Sequence, residues 1–458
     1  MYHWKFIFTC LLIFLWLAIA GKILTPVSAE AAPHFSCIRT DSNPKTATPI
    51  KPNYLQTLID PEFGTKITRI TGDAGTTIPN IGGTWATNCR HHYSKDQAWN
   101  ADGTLLFLWK DCGGGIILDG KTYQPLFRAS PPGEERWHPT DPNLFIYVSG
   151  SEIGYWNVHT KQTVRSRQFS GYGGLQFGPS EGNPSFDGKV VAALAASSPS
   201  GGQVAFAYNI ETDQKYPDIP IPYRVGSLTI SPLGNYIVVN GDITNPNANM
   251  DETLVYDLQG NQVGPLWETY GRPSHFDVTV DSDGNQVAVG LAKSGTESGR
   301  TIKRRLIDGQ VTAIGPGGSH TSTRSIRRPG WAYVTRPGGV YADEVLAVKL
   351  DGSLVERLVY LPNNKVDYPS EVHASPNPDG NKIIAAANWK TSTAVNDYVI
   401  EVTCAPPVSS PTPTPSISPI ITLKRLLTTY LNHQDSQYSP IDSKINLLDF
   451  AHLISNLI

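Results

Sequence analysis

Between residues 97 and 389 the chain repeats one pattern: a short run of mixed polar and apolar residues, a turn rich in Asp, Gly, Pro and Asn, then a more apolar run. The clearest copy is EVHASPNPDGNKIIAAANW at residues 371–389. In it, segments 372–376 and 382–387 flank the turn Pro378-Asp379-Gly380-Asn381. Asp-Gly and Asn supply the positive φ angles that tight hairpins require, and the flanks suit strands. Further copies occupy 97–109, 136–148, 175–194, 228–239, 275–289 and 320–334, which makes seven. The turn glycines Gly188, Gly234, Gly284, Gly330 and Gly380 lie 46, 50, 46 and 50 residues apart, a blade-sized period. Second hairpins follow at 116–126, 155–164, 254–263, 304–314 and 345–358. The pattern predicts an all-β fold, a seven-bladed β-propeller of four-stranded blades. The last unit ends at 398–402 and runs into Cys404-Ala405-Pro406-Pro407, so its outermost strand is missing. The alternating segment 66–70, KITRI, is expected to fill that gap, so that the ring closes without an exposed edge.

The ends add domains. Lys5 precedes an apolar run at 6–20, and Val27-Ser28-Ala29 offers a small-residue cleavage site before Glu30. Residues 1–29 therefore read as a signal peptide, and the chain as secreted or cell-surface, with no membrane association after cleavage; an uncleaved anchor is the alternative. An N-terminal extension (30–60) leads into the propeller (61–404). Residues 405–420 contain PPVSSPTPTPSISP, an extended linker, and 421–458 place apolar residues at helical spacing in 423–431 and 447–457. With 37 Lys+Arg against 40 Asp+Glu the net charge is −3, which argues against a nucleic-acid partner. Leaving aside Cys10 in the leader, four cysteines remain, an even number suited to two disulfides in an exported chain. The favoured pairs are Cys89–Cys112, which are local, and Cys37–Cys404, which would clasp the ends of a closed ring; free buried thiols or metal ligands are the alternative, though no CxxC spacing supports zinc.

Candidate chemistry follows the repeat. Histidine recurs at or near the start of the first strand of a unit at His138, His275, His320 and His373, and His91 and His92 precede the first unit. Equivalent positions of innermost strands converge at one end of the central channel. His275, His320 and His373 could together hold manganese, zinc or iron, and Glu371, on the strand face of His373, could add an oxygen. His92, Tyr93, Arg136, His138 and Arg324 are candidate acid, base and charge-neutralising groups. The two arginines could equally pair with carboxylates between blades, and Tyr93 could be packing. No GxSxG, HExxH or carboxylate pair favours a hydrolase.

In its blade phrases and inner-strand histidines, residues 61–402 resemble the seven-bladed propeller polysaccharide lyases of the oligogalacturonate lyase and ulvan lyase type. The resemblance implies a polysaccharide or oligosaccharide partner and metal-assisted β-elimination from a uronate. In the metal-using lyases the third histidine segment supplies further ligands; here its neighbours are Ser370, Glu371 and Ser375. The same turn phrase is shared with the Tol-Pal propeller, so a non-catalytic propeller that binds polysaccharide or protein is the alternative. The last 35 or so residues resemble one and a half units of a dockerin, through 442–450. That resemblance implies a calcium loop using Asp442, Asn446 and Asp449 and a cohesin-like or cell-surface partner. Tyr438, Pro440 and Ser443 depart from the loop pattern.

Overall fold

The computed structural model describes residues 31–402 apart from 181, 247–251, 269–270, 336–337 and 391–393. The leader, the proline-rich linker, the dockerin-like segment with Asp442, Asn446 and Asp449, and Cys404 lie outside the described residues. Within them the strands form seven sheets, six of them antiparallel and in chain order and the seventh completed by strands from the N-terminal side, which is the architecture of a seven-bladed propeller. All five turn glycines of the repeat have φ between 69° and 81°, a conformation that strains any side-chain-bearing residue.

Ring closure follows from the missing outer strand. Lys66–Arg69 pairs antiparallel with Val395–Glu401, which in turn pairs with Lys382–Ala387. Thr57–Ile59, within the N-terminal extension, adds a further strand beyond Lys66–Arg69. Asn88–Cys89 also pairs with Val395–Glu401, in parallel, and Cys89 is bonded to Cys112. These two restraints fix the short segment that carries His91, His92 and Tyr93.

Two blades depart from the regular pattern at their inner strand. The first keeps only a single bridge, Trp99 to Leu106, ahead of Leu105–Leu108, Ile116–Asp119 and Pro125–Arg128. In the third, the expected hairpin over 175–194 retains Val190–Ala195 as a strand, while its first half touches it at Gln176 to Leu194. The cause is local. Gly178 has φ 109°, and a Cβ on Gly182 would lie 1.9 Å from the Phe177 carbonyl oxygen, so this stretch loops instead of pairing.

Blades pack face to face through apolar residues. Between the sixth and seventh, Trp331, Tyr333 and Val345 meet Ile383, Ala385 and the closing-strand residue Ile67. Phe35 joins this cluster, and its backbone N–H donates to Glu356, which also takes a two-pronged contact from Arg328. The N-terminal extension is thereby held against the ring.

Candidate functional site

His275 and His320 lie in the first strands of the fifth and sixth blades, Ser274–Val280 and His320–Ser322, and His373 stands two residues before the first strand of the seventh, Ser375–Pro376. All three therefore sit at the same end of the innermost strands. Their rings meet: centroids are 4.9 Å apart for His275 and His320 and 4.3 Å for His320 and His373. Local backbone distortion aims two of them. His275 falls in a β-bulge between Ser274 and Asp277 and has φ 47°; His373 has φ 46°. Bulges and left-handed side-chain-bearing residues re-aim side chains at a cost the surrounding structure must offset. At His373 the support is visible: His91 Nε2 lies 2.7 Å from the His373 carbonyl oxygen, and His91 Nδ1 lies 2.8 Å from Asp397.

Hydrogen bonds link the cluster in series. Glu371 accepts from His320 Nε2 at 2.7 Å and from Lys365 Nζ at 2.5 Å. His320 Nδ1 is 3.1 Å from the Tyr93 hydroxyl, which is 3.3 Å from His275 Nδ1. A carboxylate can only accept, so His320 carries its proton on Nε2 and accepts at Nδ1 from Tyr93. Tyr93 has spent its one proton there, so His275 donates to it from Nδ1 and keeps a lone pair on Nε2. The order of donation runs from His275 through Tyr93 and His320 to Glu371.

His373 is different. Its side chain is fully buried and neither ring nitrogen makes a well-formed hydrogen bond, although the Tyr368 backbone lies close enough to favour its charged form. Buried polar atoms without partners are rare in folded proteins and call for a missing ligand or water. His320, Glu371 and His373 each offer a ligand atom, and these atoms lie within 4.8 Å of one another, so the three fit a divalent cation. His275 stands outside that triad and lines a cavity of about 200 Å³ together with Tyr93, Lys95, Lys293 and Tyr368.

Burial controls the electrostatics. It pushes the His275 imidazole down to about 3, and it lowers His320 and His373 as well, the neighbouring imidazole charge adding to the effect at His275 and His373. His275 is exposed on its cavity side, so solvent screens its shift, and the fully buried His320 and His373 carry most of the effect. Burial raises the Glu371 carboxyl, but hydrogen bonds from His320 and Lys365, with the Lys365 charge, outweigh it and hold the group at about 2. The three histidines are thus neutral when folded and titrate near 6.5 when unfolded. Below about pH 6.5 the unfolded chain binds more protons, so stability is complete above that pH and is lost as pH falls toward 3. Urea unfolding is expected to show a lower midpoint at about pH 5 than at about pH 7.5, with part of that difference removed by His275→Asn; equal midpoints would contradict three neutral imidazoles.

The remaining sequence candidates stand elsewhere. His92 bonds Asp96 through Nδ1 and stacks on Trp109 with centroids 3.9 Å apart. Arg136 contacts Asp96 at 3.0 Å and Glu134 at 2.6 Å, and Arg324 forms a two-pronged pair with Asp277 at 2.9 and 2.8 Å. His138 accepts the backbone N–H groups of Thr140 and Asp141 at a strand end. Arg136, His138 and Arg324 border a separate cavity with Trp99, Trp137 and Phe186. Lys95, Lys293, Lys365 and Tyr368 were not signalled by the sequence. They come from loops, and only the shared turn period of their blades hinted that loops at this end converge.

No protein-family model matches the chain, and comparison with curated proteins finds no match. Solved structures do resemble it. An oligogalacturonate lyase in complex with manganese superposes with TM-score 0.54 at 14% identity over 76% of this chain and 96% of that one. An oligogalacturonate lyase from Vibrio parahaemolyticus gives 0.51 at 12% identity, again over 76% and 96%. At these identities the likeness shows a shared fold: this chain is a seven-bladed β-propeller built like those of the two lyases.

Proposed function

We propose that the chain is a metal-assisted lyase acting on uronate-containing oligosaccharides by β-elimination. The observation that carries this reading is the buried His320–Glu371–His373 triad, in which the His373 nitrogens make no well-formed hydrogen bond, beside a cavity that His275 and Tyr93 line. The fold shared with an oligogalacturonate lyase in complex with manganese supports it. His320, Glu371 and His373 would hold the cation, which when bound supplies Lewis-acid polarisation of a sugar carboxylate.

Protons fall to His275 and Tyr93. The elimination removes the proton on the carbon beside the carboxylate, forms a carbon–carbon double bond and breaks the bond to the glycosidic oxygen, which must gain a proton. With a cation on His320, that ring would carry its proton on Nδ1 and donate it to the Tyr93 oxygen, which can accept from His275 Nδ1 as well; His275 Nε2, neutral and still bearing its lone pair, would accept the first proton and then carry the one the leaving oxygen needs. Tyr93 holds His275 Nδ1 throughout, so the ring keeps one orientation for both transfers.

The test is absorbance of the unsaturated product on incubation with pectin, ulvan and alginate fragments, before and after chelator treatment. Product that disappears on chelation and returns with manganese or zinc is the expected result. No product from any of the three would remove the enzymatic reading and leave a propeller that binds saccharide without reaction.

A further inference from the structure

One loop reaches the triad from outside. Residues 361–370 leave the outermost strand of the sixth blade, Val355–Tyr360, and end beside Glu371. Their backbone is tied down: the Ser370 hydroxyl accepts the N–H groups of Val366 and Asp367, and the backbone of Asn364 exchanges two hydrogen bonds with the Asn388 side chain. The loop therefore holds the Lys365 backbone in place, while the lysine side chain is 58% exposed. Its Nζ lies 2.5 Å from Glu371 Oε1, and His320 Nε2 lies 2.7 Å from Oε2, so both oxygens of this buried carboxylate are engaged. The two contacts differ in charge. Burial keeps His320 neutral, which leaves Lys365 as the cation in ion-pair contact with Glu371 among the described residues. A buried carboxylate needs a counter-charge, and a dication on Glu371 would supply more than enough. The ammonium is then surplus: the ion repels it, and water lies within reach of its flexible stem.

We infer that Lys365 competes with the divalent cation for Glu371, neutralising the carboxylate until a cation takes it and then returning to solvent. The inference rests on the reading above, in which the triad holds the cation, and adds a device that regulates its loading. The moving part is one side chain, because the hydrogen bonds that tie the loop do not pass through the Lys365 ammonium.

Cation binding tests this without turnover. Calorimetric titration of the chelator-stripped full chain with manganese chloride is expected to show about tenfold tighter binding by Lys365→Met, the scale of one charge-assisted hydrogen bond. Lys365→Arg, which keeps the competing charge, should bind as the parent does. Because the side chain is more than half exposed and its loop is held by other bonds, both variants fold, which thermal unfolding verifies. Acetylation by an amine-reactive ester, read by mass spectrometry, reports the displacement directly: manganese should speed it at Lys365 and leave the exposed Lys121 unchanged. Equal or weaker manganese binding by Lys365→Met overturns the inference. Acetylation of Lys365 that manganese does not alter also overturns it, since the ammonium then stays on Glu371 as an outer neighbour of the cation. Absence of manganese binding in both chains overturns it together with the triad. The lyase reading fails separately: Lys365-dependent manganese binding with no unsaturated product supports the inference and refutes that reading, whereas product from a chain whose manganese affinity ignores Lys365 does the reverse.

Discussion

His373→Ala is expected to lose its divalent cation and with it about three orders of magnitude in product formation. The imidazole is fully buried, and its two nitrogens lack well-formed partners in a group whose other members, His320 and Glu371, already satisfy one another. Without the ring, the remaining pair is a closed hydrogen bond with no reason to open for a cation. Several kcal/mol of charge stabilisation would go with the metal, and each ~1.4 kcal/mol is tenfold in rate, hence the estimate. Metal analysis after dialysis against limiting manganese or zinc should fall from about one ion per chain to near none. Alanine keeps the backbone strain of about 1–3 kcal/mol that His373 already carries at φ 46° and loses the ring's packing, so thermal unfolding must accompany the measurement. Glu371→Gln is the gentler companion: it keeps shape, removes the charge, and frees Lys365. A folded His373→Ala chain that still binds one ion per chain removes the triad from consideration.

The architecture was legible because turn chemistry and strand alternation are local properties. Gly234, Gly284 and their equivalents mark turns whatever the blade packs against, and the shortage of a last outer strand announced the pairing of Lys66–Arg69 with Val395–Glu401. Convergence of His275, His320 and His373 could be read for the same reason, since equal positions in successive repeats share one end of the ring. What the sequence does not carry is packing between elements far apart in the chain. Arg136 and Arg324 read equally as site residues or as partners of carboxylates between blades until Asp96 and Asp277 are seen beside them. The first strand of the third blade was expected from spacing, but its glycines override the repeat. Separation of His275 from the triad depends on a one-residue bulge, and Lys95 and Lys293 reach the cavity from different loops.

Tyr93 ties these parts together, and its removal has the second large effect. Cys89–Cys112 and the pairing of Asn88–Cys89 with Val395–Glu401 anchor the segment that delivers it, and its ring lies edge-on to His320 and His373 with centroids 5.3 and 4.9 Å away. Tyr93→Phe keeps that packing and deletes only the hydroxyl shared by His275 and His320. His275 then has no group to hold Nδ1, and the proton that was fixed there distributes between its two nitrogens. The expected result is a fall in kcat of about a hundredfold, the lower end of acid–base contributions, with metal content and KM little changed. Leaving His320 Nδ1 without its donor costs about 1–3 kcal/mol of stability. Nitrogen chemical shifts of labelled histidine discriminate this from a packing role: the parent in its metal-free state should show His275 protonated on Nδ1, and Tyr93→Phe a mixture. A Tyr93→Phe chain that is less stable but retains the parent's tautomer and kcat would reduce Tyr93 to a structural residue and leave His275 positioned by the bulge alone.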